Sequence, residues 1–598
     1  MKAKAKSSRL LLVALSLVLI LSAFAGCTGS GTESSPAADS SAAATTSESA
    51  EAPSSDAAED SAETPAGDAN LTEPGTFPIV NERVSISLFV HPTPERKVET
   101  YAADKNLFTQ WYQDYTNVEL NFVMAPSAND ITTTLSTLMA SGETPDILLS
   151  NNFSPEQQML YGEQEIIMDI SQLVENNAPN IKNFWDTNPQ IKNAVTFPGG
   201  KVYAVNSESI DPRDMVWNKM FVYKPWLDEL GLEVPTTTDE FYETLLAFKN
   251  NDPNGNGQAD EIPLIGNTSW VAWNPMVYLI DPFTYVQDFG TGSAPAAGPN
   301  LFIENGALYS AFQQEGYKEG LRYVAKLYAE GLIAPETFTM SDMGTYRTVA
   351  SQEPNIVGFM PSHAAYTAAE VHADDFVMMG PLKGPDGTIN ATRINTITNG
   401  GVVFSADTEY PEVCIRIVDG LMTEEVCLRA YTGEEGFEWE MAKEGATTLD
   451  GKPAKYHNMN SGSTYDPEKI RPNVVWPIVI NLRGESVANK WYTDLWDFDE
   501  TSSRYDIDLN TWTEEQYLPY LPSEDKLLPV NLVIPTDTSA ELSDLSALIT
   551  ETNNRWVMSF VLGQADIDGQ WDAFQAELEA IGLPRFIEIY QSAYDAMQ

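Results

Sequence analysis

Cysteine and histidine are scarce in this chain, which has three cysteines and four histidines in 598 residues. They show no CxxC, Cys/His or HExxH spacing, so neither a zinc site nor a redox dithiol is indicated. Cys414 and Cys427 fall in two successive predicted helical stretches. A disulfide between them would need a turn, for which Asp419-Gly420 is a candidate, but two buried thiols are expected.

Positive charge is also scarce, because 34 Lys and Arg stand against 86 Asp and Glu, giving a net charge of −52. No basic face is available to neutralise phosphates, which argues against nucleic-acid binding. The sequence has no GxSxG or Walker A pattern. Adjacent carboxylates such as Asp374-Asp375 are expected by chance in so acidic a chain, so no glycosidase pair can be named. The protein is therefore predicted not to be an enzyme.

The first 27 residues have the pattern of a secretory signal that ends in a cysteine. Basic residues within the first nine positions precede an apolar run over residues 10–25. This run is short for a membrane-spanning helix, which needs ~20 residues. The small residues before Cys27 resemble a bacterial lipobox, which predicts a signal peptide over 1–26 and acylation of Cys27. An ordinary signal peptide or an anchor helix is the alternative.

Residues 27–80 are predicted to form a disordered tether. Residues 28–80 are almost entirely small or polar, with ten carboxylates and no Lys or Arg. Such a segment has too little apolar surface to offset its ordering entropy. As a flexible chain it would span roughly 40 Å, enough to lift a folded body off a membrane. Its position directly after Cys27 favours a tether on the extracellular face over a tail without a role.

The remaining chain of about 520 residues is long enough for two lobes. Apolar and polar residues alternate over 84–90, as expected for a half-buried strand. Strands and helices then alternate up to residue 149, which predicts an α/β fold with a parallel sheet. Further strands are predicted at 201–205, 356–360 and 376–379, and helices at 237–250, 315–331 and from 411 onwards.

A loop from Asp252 to Pro263 has the oxygen spacing of a calcium site. Oxygen-bearing side chains stand at loop positions 1, 3, 5 and 9, with a glycine at position 6. Position 12, where an EF-hand has a bidentate Glu, is Pro263, so Glu261 is the predicted substitute. The alternative is an Asn-Gly-rich surface turn. A structural Ca²⁺ is predicted, with the ligands Asp252, Asn254, Asn256, Gln258, Asp260 and Glu261.

Several segments resemble the extracellular solute-binding proteins of carbohydrate ABC importers. The calcium loop is similar to that of their oligosaccharide- and alginate-binding branch. The segments SGETPDI (141–147), WLDELGL (226–232) and GEEGFEW (433–439) resemble motifs of the family. The resemblance covers most of residues 82–598, and it departs at 222–225, where relatives show an arginine-containing strand.

The resemblance implies a type II periplasmic-binding-protein-like fold, in which two α/β lobes close on a ligand by hinge motion. Lobe one is expected from residues 82–205 plus 353–397, and lobe two from 206–352 plus 398–598. The implied function is a lipid-anchored substrate-binding protein that captures an oligosaccharide. It would deliver this ligand to ABC permease subunits and their ATPase, and a monomer is expected.

Candidate ligand contacts are side chains that suit a sugar and lie near the expected cleft. Sugar sites need flat apolar faces together with planar hydrogen-bonding groups. Asn151 follows the carboxyl end of a predicted strand, and Trp217 follows the first predicted crossing between the lobes. Trp270 and Trp273 follow the predicted calcium loop, and Glu435 and Trp439 lie in the segment 433–439. Core packing is the common alternative for any single Trp. The predicted ligand-binding residues are Asn151, Trp217, Trp270, Trp273, Glu435 and Trp439.

Three other functions are compatible with the sequence. A lipoprotein glycoside hydrolase would turn over a bound oligosaccharide, whereas a binding protein returns it intact. A surface carbohydrate adhesin would lack saturable binding of a small ligand. A solute-binding protein for a non-sugar ligand would keep the importer role and change the substrate.

Overall fold

A computed structural model of the protein describes residues 70–93, 97–127, 130–149, 153–205, 212–287, 300–340, 342–394, 401–459, 471–477, 495–497 and 505–597. The predicted signal peptide, Cys27, most of the tether and Asn151 lie outside these ranges. The strands are β1 (Val84–Val90), β2 (Val118–Met124), β3 (Ile147–Leu149), β4 (Ala204–Val205), β5 (Lys219–Tyr223), β6 (Ile262–Leu264), β7 (Leu301–Glu304), β8 (Ala307–Ser310), β9 (Val357–Ser362), β10 (Phe376–Met379), β11 (Val402–Phe404), β12 (Trp439–Met441) and β13 (Tyr456–Asn458).

Helices cover both sheets and form most of the carboxyl-terminal part of the chain. Among the helices of the described ranges, none is both long and apolar enough to cross a membrane. The α-helices are α1 (Leu107–Thr116), α2 (Ile131–Ser141), α3 (Pro155–Glu163), α4 (Ser171–Asn177), α5 (Pro179–Thr187), α6 (Pro189–Val195), α7 (Pro212–Met215), α8 (Lys224–Leu230), α9 (Thr238–Asn250), α10 (Pro275–Ile280), α11 (Glu315–Ala329), α12 (Met343–Ala350), α13 (Ala365–Ala368), α14 (Pro411–Leu421), α15 (Glu424–Thr432), α16 (Tyr505–Gln516), α17 (Thr536–Val561), α18 (Ile567–Ala580) and α19 (Leu583–Met597).

The first sheet has five strands in the order β2-β1-β3-β11-β4. β1 pairs in parallel with β2 and β3, whereas β11 runs antiparallel to β3 and β4. Alternate side chains of β1 enter two different cores, because successive residues of a strand point to opposite faces. Ile86 and Leu88 pack with α14, and Phe89 packs with α2 on the other face. The predicted strand–helix alternation over residues 84–149 is confirmed.

The second sheet has four strands in the order β10-β5-β9-β6. β9 runs parallel to β6, and β5 is antiparallel to both β9 and β10. Trp226, Phe241 and Phe248 form part of its largest core, which also takes in α17, α18 and α19. A Cβ at Gly358 would lie 2.4 Å from the Phe248 ring, so a glycine is needed where α9 approaches β9.

The predicted division of the lobes is wrong for two segments. Residues 353–397 were expected in lobe one, but their strands β9 and β10 pair with β5 in the second sheet. Residues from 398 were expected in lobe two, but β11 pairs with β3 and α14 packs against the first sheet. Periodicity identifies a buried strand without identifying its partners, because pairing joins segments that are distant in sequence.

The chain crosses between the two sheets at the edge of each sheet that holds the carboxyl ends of its parallel strands. It leaves β4 for the second sheet between residues 205 and 212, and it returns to β11 between residues 394 and 401. Val402 pairs with Leu149 at the carboxyl end of β3, and Lys219 pairs with Ser362 at the carboxyl end of β9. The carboxyl ends of the parallel strands therefore face the crossings in both sheets. Open α/β sheets bind ligands at this edge.

A non-covalent link joins the lobes through the segment that precedes α17. Asn531 Nδ2 donates hydrogen bonds to the carbonyl oxygens of Asn193 (3.2 Å) and Thr196 (2.8 Å) at the end of α6. The backbone N–H of Ile534 donates to Glu156 Oε1 at 3.3 Å. The segment thus contacts the first lobe, whereas the helices before and after it, α16 and α17, pack in the second lobe.

Residues 71–80, which were predicted to belong to the disordered tether, pack against the first lobe. Ile79 and Val80 are each 1% exposed and belong to the core of the first lobe. The Arg416 guanidinium donates to the carbonyl oxygens of Thr72 (2.7 Å) and Glu73 (2.5 Å). Residues 71–80 contain the apolar side chains that residues 28–69 lack, which explains why this part packs.

Cys414 and Cys427 are both buried and form no disulfide, as predicted. Burial raises the pKa of the Cys414 thiol to about 12, so it is protonated at neutral pH. A protonated thiol inside a core is chemically inert compared with an exposed thiolate.

Candidate functional site

Three half-buried tryptophans lie together at the carboxyl edge of the second sheet. The ring centroids of Trp217 and Trp270 are 5.3 Å apart, and those of Trp270 and Trp273 are 4.6 Å apart. Trp217 precedes β5, and the other two lie in the turn after β6. We call these three residues the Trp cluster. The cluster lies where the chain enters from the first sheet.

The turn that carries Trp270 and Trp273 is fixed to β5 by one buried amide. Asn218 Nδ2 donates to the carbonyl oxygens of Val271 (2.6 Å) and Asn274 (3.0 Å). Asn218 is 3% exposed, so these hydrogen bonds are shielded from water. This arrangement holds the three rings in a fixed relation to one another.

Polar groups stand beside the Trp cluster. The His363 ring, just after β9, lies edge-on to Trp217 with a centroid distance of 6.4 Å. Its Nε2 is 3.4 Å from Asp214 Oδ1, and Arg213 Nε is also 3.4 Å from that oxygen. Burial, and next the nearby Lys219, lower the pKa of His363 to about 4, so the imidazole is neutral at physiological pH.

Lys219 lies beneath this polar group, and its side chain is fully buried. Its Nζ donates to the carbonyl oxygens of Arg213 (2.8 Å), His363 (3.3 Å) and Val216. Burial lowers the pKa of its ammonium well below the usual range. Lys219 therefore ties the entry to β5 to the end of β9 and fixes the backbone under the Trp cluster.

The arrangement combines apolar ring faces with groups that accept and donate hydrogen bonds. Asp214 supplies carboxylate oxygens, and the neutral His363 supplies one donor and one acceptor nitrogen. Sequence reasoning missed both residues. The only sequence signal for His363 was its position shortly after the predicted strand at 356–360. The sequence held no signal for Asp214, because its role depends on contacts across the sheet.

Glu435 and Trp439 lie elsewhere in the structure. The Trp439 ring is 2% exposed, and its Nε1 donates to the Gly433 carbonyl oxygen at 3.0 Å. Glu435 Oε2 lies 3.0 Å from Arg429 Nη2, and the Arg429 guanidinium is 5.1 Å from the centre of the Trp439 ring. Trp439 belongs to a small separate core and offers no face to a ligand, so the structure does not support its predicted role. Asn151 lies outside the described ranges.

The predicted calcium loop curls so that its oxygen-bearing side chains converge. The Asp252 carboxylate accepts hydrogen bonds from the backbone N–H groups of Asn256 (3.1 Å) and Gly257 (2.8 Å). Asn256 Nδ2 donates to both oxygens of Asp260 at 3.1 Å. Gly255 and Gly257 have φ values of +69° and +76°, which non-glycine residues rarely adopt. The turn therefore brings positions 1, 5 and 9 together.

Glu261 ends this loop with a buried oxygen, Oε1, that has no hydrogen-bond partner. Burial raises the pKa of this carboxyl group, and repulsion from Asp260 and Asp252 raises it further. A buried carboxylate oxygen without a partner is unfavourable in isolation. A cation among these carboxylates would satisfy it, so the donor set fits a hard divalent ion.

The loop relies on amide and backbone oxygens as well as carboxylates. Within the described ranges, no group of three or more His, Cys, Asp or Glu residues could hold a metal ion by itself. Asn254 and Asn256 direct N–H groups to Asp260, and a cation would require these amides to rotate and present oxygen. The prediction of six ligands therefore rests on loop spacing, which residue type alone does not reveal.

Comparison with protein families identifies the chain. Residues 96–413 match the model of the bacterial extracellular solute-binding proteins. The chain belongs to this family. The matched residues include strands of both sheets, the predicted calcium loop and the Trp cluster.

Individual family members are related at low sequence identity. The fructooligosaccharide ABC transporter substrate-binding protein FusA of Streptococcus pneumoniae is 25% identical over 476 residues, 77% of this chain and 81% of FusA. The lipoprotein LipO of Bacillus subtilis is 26% identical over 369 residues, 58% of this chain and 66% of LipO. An extracellular solute-binding protein of Bifidobacterium longum subsp. infantis has a crystal structure with a TM-score of 0.70 at 21% identity, covering 86% of this chain and 98% of that chain. This likeness confirms the predicted two-lobed α/β fold.

Proposed function

We propose that the protein is the substrate-binding component of an ABC importer and that it captures an extracellular carbohydrate. The observation that carries this proposal is the Trp cluster with Asp214 and His363 at the edge where the lobes connect. An oligosaccharide of two or more units is the expected ligand. FusA, a relative over most of the chain, is a fructooligosaccharide-binding protein, which supports this class.

The chemistry of the cluster suits a sugar ring. A pyranose or furanose has C–H-rich surfaces that pack on an aromatic face, while its hydroxyl groups need planar hydrogen-bonding partners at the edge. Asp214 accepts hydrogen bonds from hydroxyl groups, and the neutral His363 can donate one and accept one. Closure of the lobes would exclude water from these contacts and present the closed form to the permease.

Titration calorimetry with a panel of mono- and oligosaccharides tests the proposal. We expect saturable binding of at least one oligosaccharide, which chromatography recovers unchanged after incubation. Binding of a peptide or another small solute in place of any saccharide would keep the importer role and overturn the carbohydrate assignment. Hydrolysis of the bound oligosaccharide would support a glycoside hydrolase, and the absence of saturable binding would support an adhesin.

A structural Ca²⁺ is the second part of the proposal. Asp252, Asp260 and Glu261 would supply carboxylate oxygens, Asn254 and Asn256 amide oxygens, and Gln258 its backbone carbonyl. The ion would satisfy the orphaned Oε1 of Glu261 and hold the loop between α9 and β6. Calcium fits this oxygen-rich set better than magnesium, which keeps more waters and demands stricter geometry.

Lipid anchorage at Cys27 is the third part, and it lies outside the described ranges. The relative LipO is named a lipoprotein, and the segment before Cys27 has the small residues of a cleavage site.

We expect Cys27→Ser to leave the chain unprocessed or to release it into the medium, because the acylated thiol is lost. Fractionation followed by mass spectrometry of the amino terminus measures this. A processed Cys27→Ser chain that stays in the membrane fraction would contradict the anchor, and Cys427→Ser is the control that should remain anchored.

A further inference from the structure

Asp281 is a buried carboxyl group without a basic partner. It directly follows α10 and is 4% exposed. Its Oδ1 accepts a hydrogen bond from the backbone N–H of Val286 at 3.0 Å, and its Oδ2 lies 2.7 Å from Thr392 Oγ1. Within the described ranges, no Lys, Arg or His forms an ion pair with Asp281. An ionised carboxylate that is removed from water without a cation is strongly unfavourable.

The Thr392 hydroxyl group indicates which form of Asp281 the structure holds. Thr392 Oγ1 also lies 2.7 Å from the carbonyl oxygen of Val286. A hydroxyl group has one hydrogen to donate, and a carbonyl or an ionised carboxylate has none. If Asp281 were ionised, one of these two contacts would join oxygens with no hydrogen between them.

A protonated Asp281 satisfies both contacts. Its Oδ2–H donates to Thr392 Oγ1, and the Thr392 hydroxyl donates to the Val286 carbonyl oxygen. Asp281 Oδ1 still accepts from the N–H of Val286, so each of these buried groups has a partner. The geometry therefore favours the neutral acid.

The groups of the described ranges that face Asp281 do not balance a negative charge there. Three tyrosines face it, from α10, from the turn after α10 and from the end of α16: Tyr278, Tyr285 and Tyr517. Burial raises the pKa of each of these phenols, so they are uncharged at neutral pH. The Arg393 guanidinium is directed to Glu524, with Nη2 3.3 Å from Oε1.

Asp281 holds the segment that leads from the second lobe back to the first. We call the passage from residue 394 to residue 401 the return crossing. Asn390 Nδ2 donates to the Asp281 carbonyl oxygen at 2.8 Å, and the backbone N–H of Ile394 donates to the Met215 carbonyl oxygen at 2.9 Å. Met215 ends α7, which follows the outgoing crossing. The segment 390–394 thus connects Asp281 to the place where both crossings meet the second lobe.

We infer that Asp281 is held as a neutral carboxylic acid and that it is a pH-sensitive anchor of the return crossing. Loss of its proton leaves a buried charge that no cation balances, and it removes one hydrogen bond from the set that Asp281, Thr392 and Val286 share. The segment 390–394 is then held less firmly to the end of α10. This inference depends on the fold and not on the identity of the ligand.

The direction of the pH dependence follows from the pKa of Asp281. Burial is the largest influence and raises this pKa to about 7, although hydrogen bonds from Val286 and Thr392 lower it. In an unfolded chain the pKa of an Asp is about 3.9, so between these two values the folded protein binds more protons. The stabilisation is therefore complete below about pH 4 and is lost as the pH rises to about 7.

The test compares the wild type with Asp281→Asn, which cannot ionise. The amide keeps the hydrogen-bonding roles of the neutral acid, because its Oδ1 accepts from Val286 and its Nδ2 donates to Thr392. We expect the unfolding constant of the wild type, relative to that of Asp281→Asn, to rise about 100-fold between pH 5 and pH 8. This rise corresponds to about 2.7 kcal/mol. For a lobe of roughly 200 residues it lowers the melting temperature by about 5–10 °C.

Differential scanning calorimetry of the full-length protein measures this shift, and hydrogen exchange locates it. Asp544→Asn, an exposed change on α17, should keep the pH dependence of the wild type. At pH 8, peptides that contain residues 390–394 should exchange faster in the wild type than in Asp281→Asn, and at pH 5 at similar rates. A melting-temperature difference that is the same at both pH values would overturn the inference. Equal exchange of residues 390–394 at pH 8 would also overturn it.

Infrared spectroscopy of the wild type gives a decision even if Asp281→Asn does not fold. With ¹³C at the Asp carboxyl carbons, a carboxylic acid band should be present at about pH 6, where exposed Asp side chains are ionised, and absent at about pH 9. The lack of this band at pH 6 would overturn the inference.

Discussion

Removal of Ca²⁺ with EDTA is expected to lower the melting temperature of the protein by about 10 °C, and added Ca²⁺ is expected to restore it. A ligand present at 1,000 times its Kd stabilises the folded state by about 4 kcal/mol. For a domain of roughly 200 residues, 1 kcal/mol shifts the melting temperature by about 2–4 °C. Differential scanning calorimetry with and without EDTA measures the effect.

Variants of the loop separate calcium binding from folding of the loop itself. Asp252→Ala should abolish the response to EDTA and Ca²⁺. Glu261→Gln should also abolish it without lowering stability in EDTA, because the substitution removes repulsion among Glu261, Asp260 and Asp252. Asp544→Asn should respond like the wild type. Identical melting curves of the wild type in EDTA and in Ca²⁺ would show that the loop is an ordinary turn.

Replacement of Trp217 or Trp270 by Ala is expected to weaken oligosaccharide binding about tenfold or more, which corresponds to at least ~1.4 kcal/mol. Each ring should contribute ~1 kcal/mol of stacking in addition to the burial of its apolar surface. The two rings are in contact, so the double variant should lose less than the sum of the single losses. Titration calorimetry with the best ligand of the panel measures these changes.

Two other tryptophans provide matched controls for this prediction. Trp556→Ala removes a half-buried ring that packs with Phe560 and Phe574, away from the Trp cluster, and should leave the Kd unchanged. Trp439→Ala empties a buried core position and should destabilise the fold by about 3–5 kcal/mol. Its affinity at a temperature where it is folded should match that of the wild type. Unchanged affinity in both Trp217→Ala and Trp270→Ala would show that the cluster does not contact the ligand.

Local pattern predicted the elements whose physics is local. The alternation of residues 84–90, the helix–strand order up to residue 149 and the helix near 238–250 follow from side-chain periodicity and were all found. The predicted calcium loop is also local, because its oxygen-bearing side chains lie within ten consecutive residues and two glycines permit its turn. Its binding of Ca²⁺ stays a prediction. The burial of Cys414 and Cys427 without a disulfide agrees with expectation as well.

Composition predicted the end of the tether less accurately. The average composition of residues 27–80 is polar, although the last ten residues of this range include several large apolar side chains. Ile79 and Val80 find a core only because the first lobe offers one, and Arg416 of α14 binds the chain at Thr72 and Glu73. A helix more than 300 residues away thus holds this segment against the first lobe.

The sequence by itself determined the α/β character, the family resemblance, the oxygen-rich loop at 252–263 and the acidic surface, since each depends on residue type or on short spacing. Only the tertiary structure decided which sheet β9, β10 and β11 join, because strand pairing is settled between distant segments. It alone placed Trp217 with Trp270 and added Asp214 and His363 beside them, while enclosing Trp439 in a core. A tryptophan side chain has the same chemistry in the Trp cluster and in a core. The difference lies in which neighbouring residues pack against it, and the tertiary structure decides that.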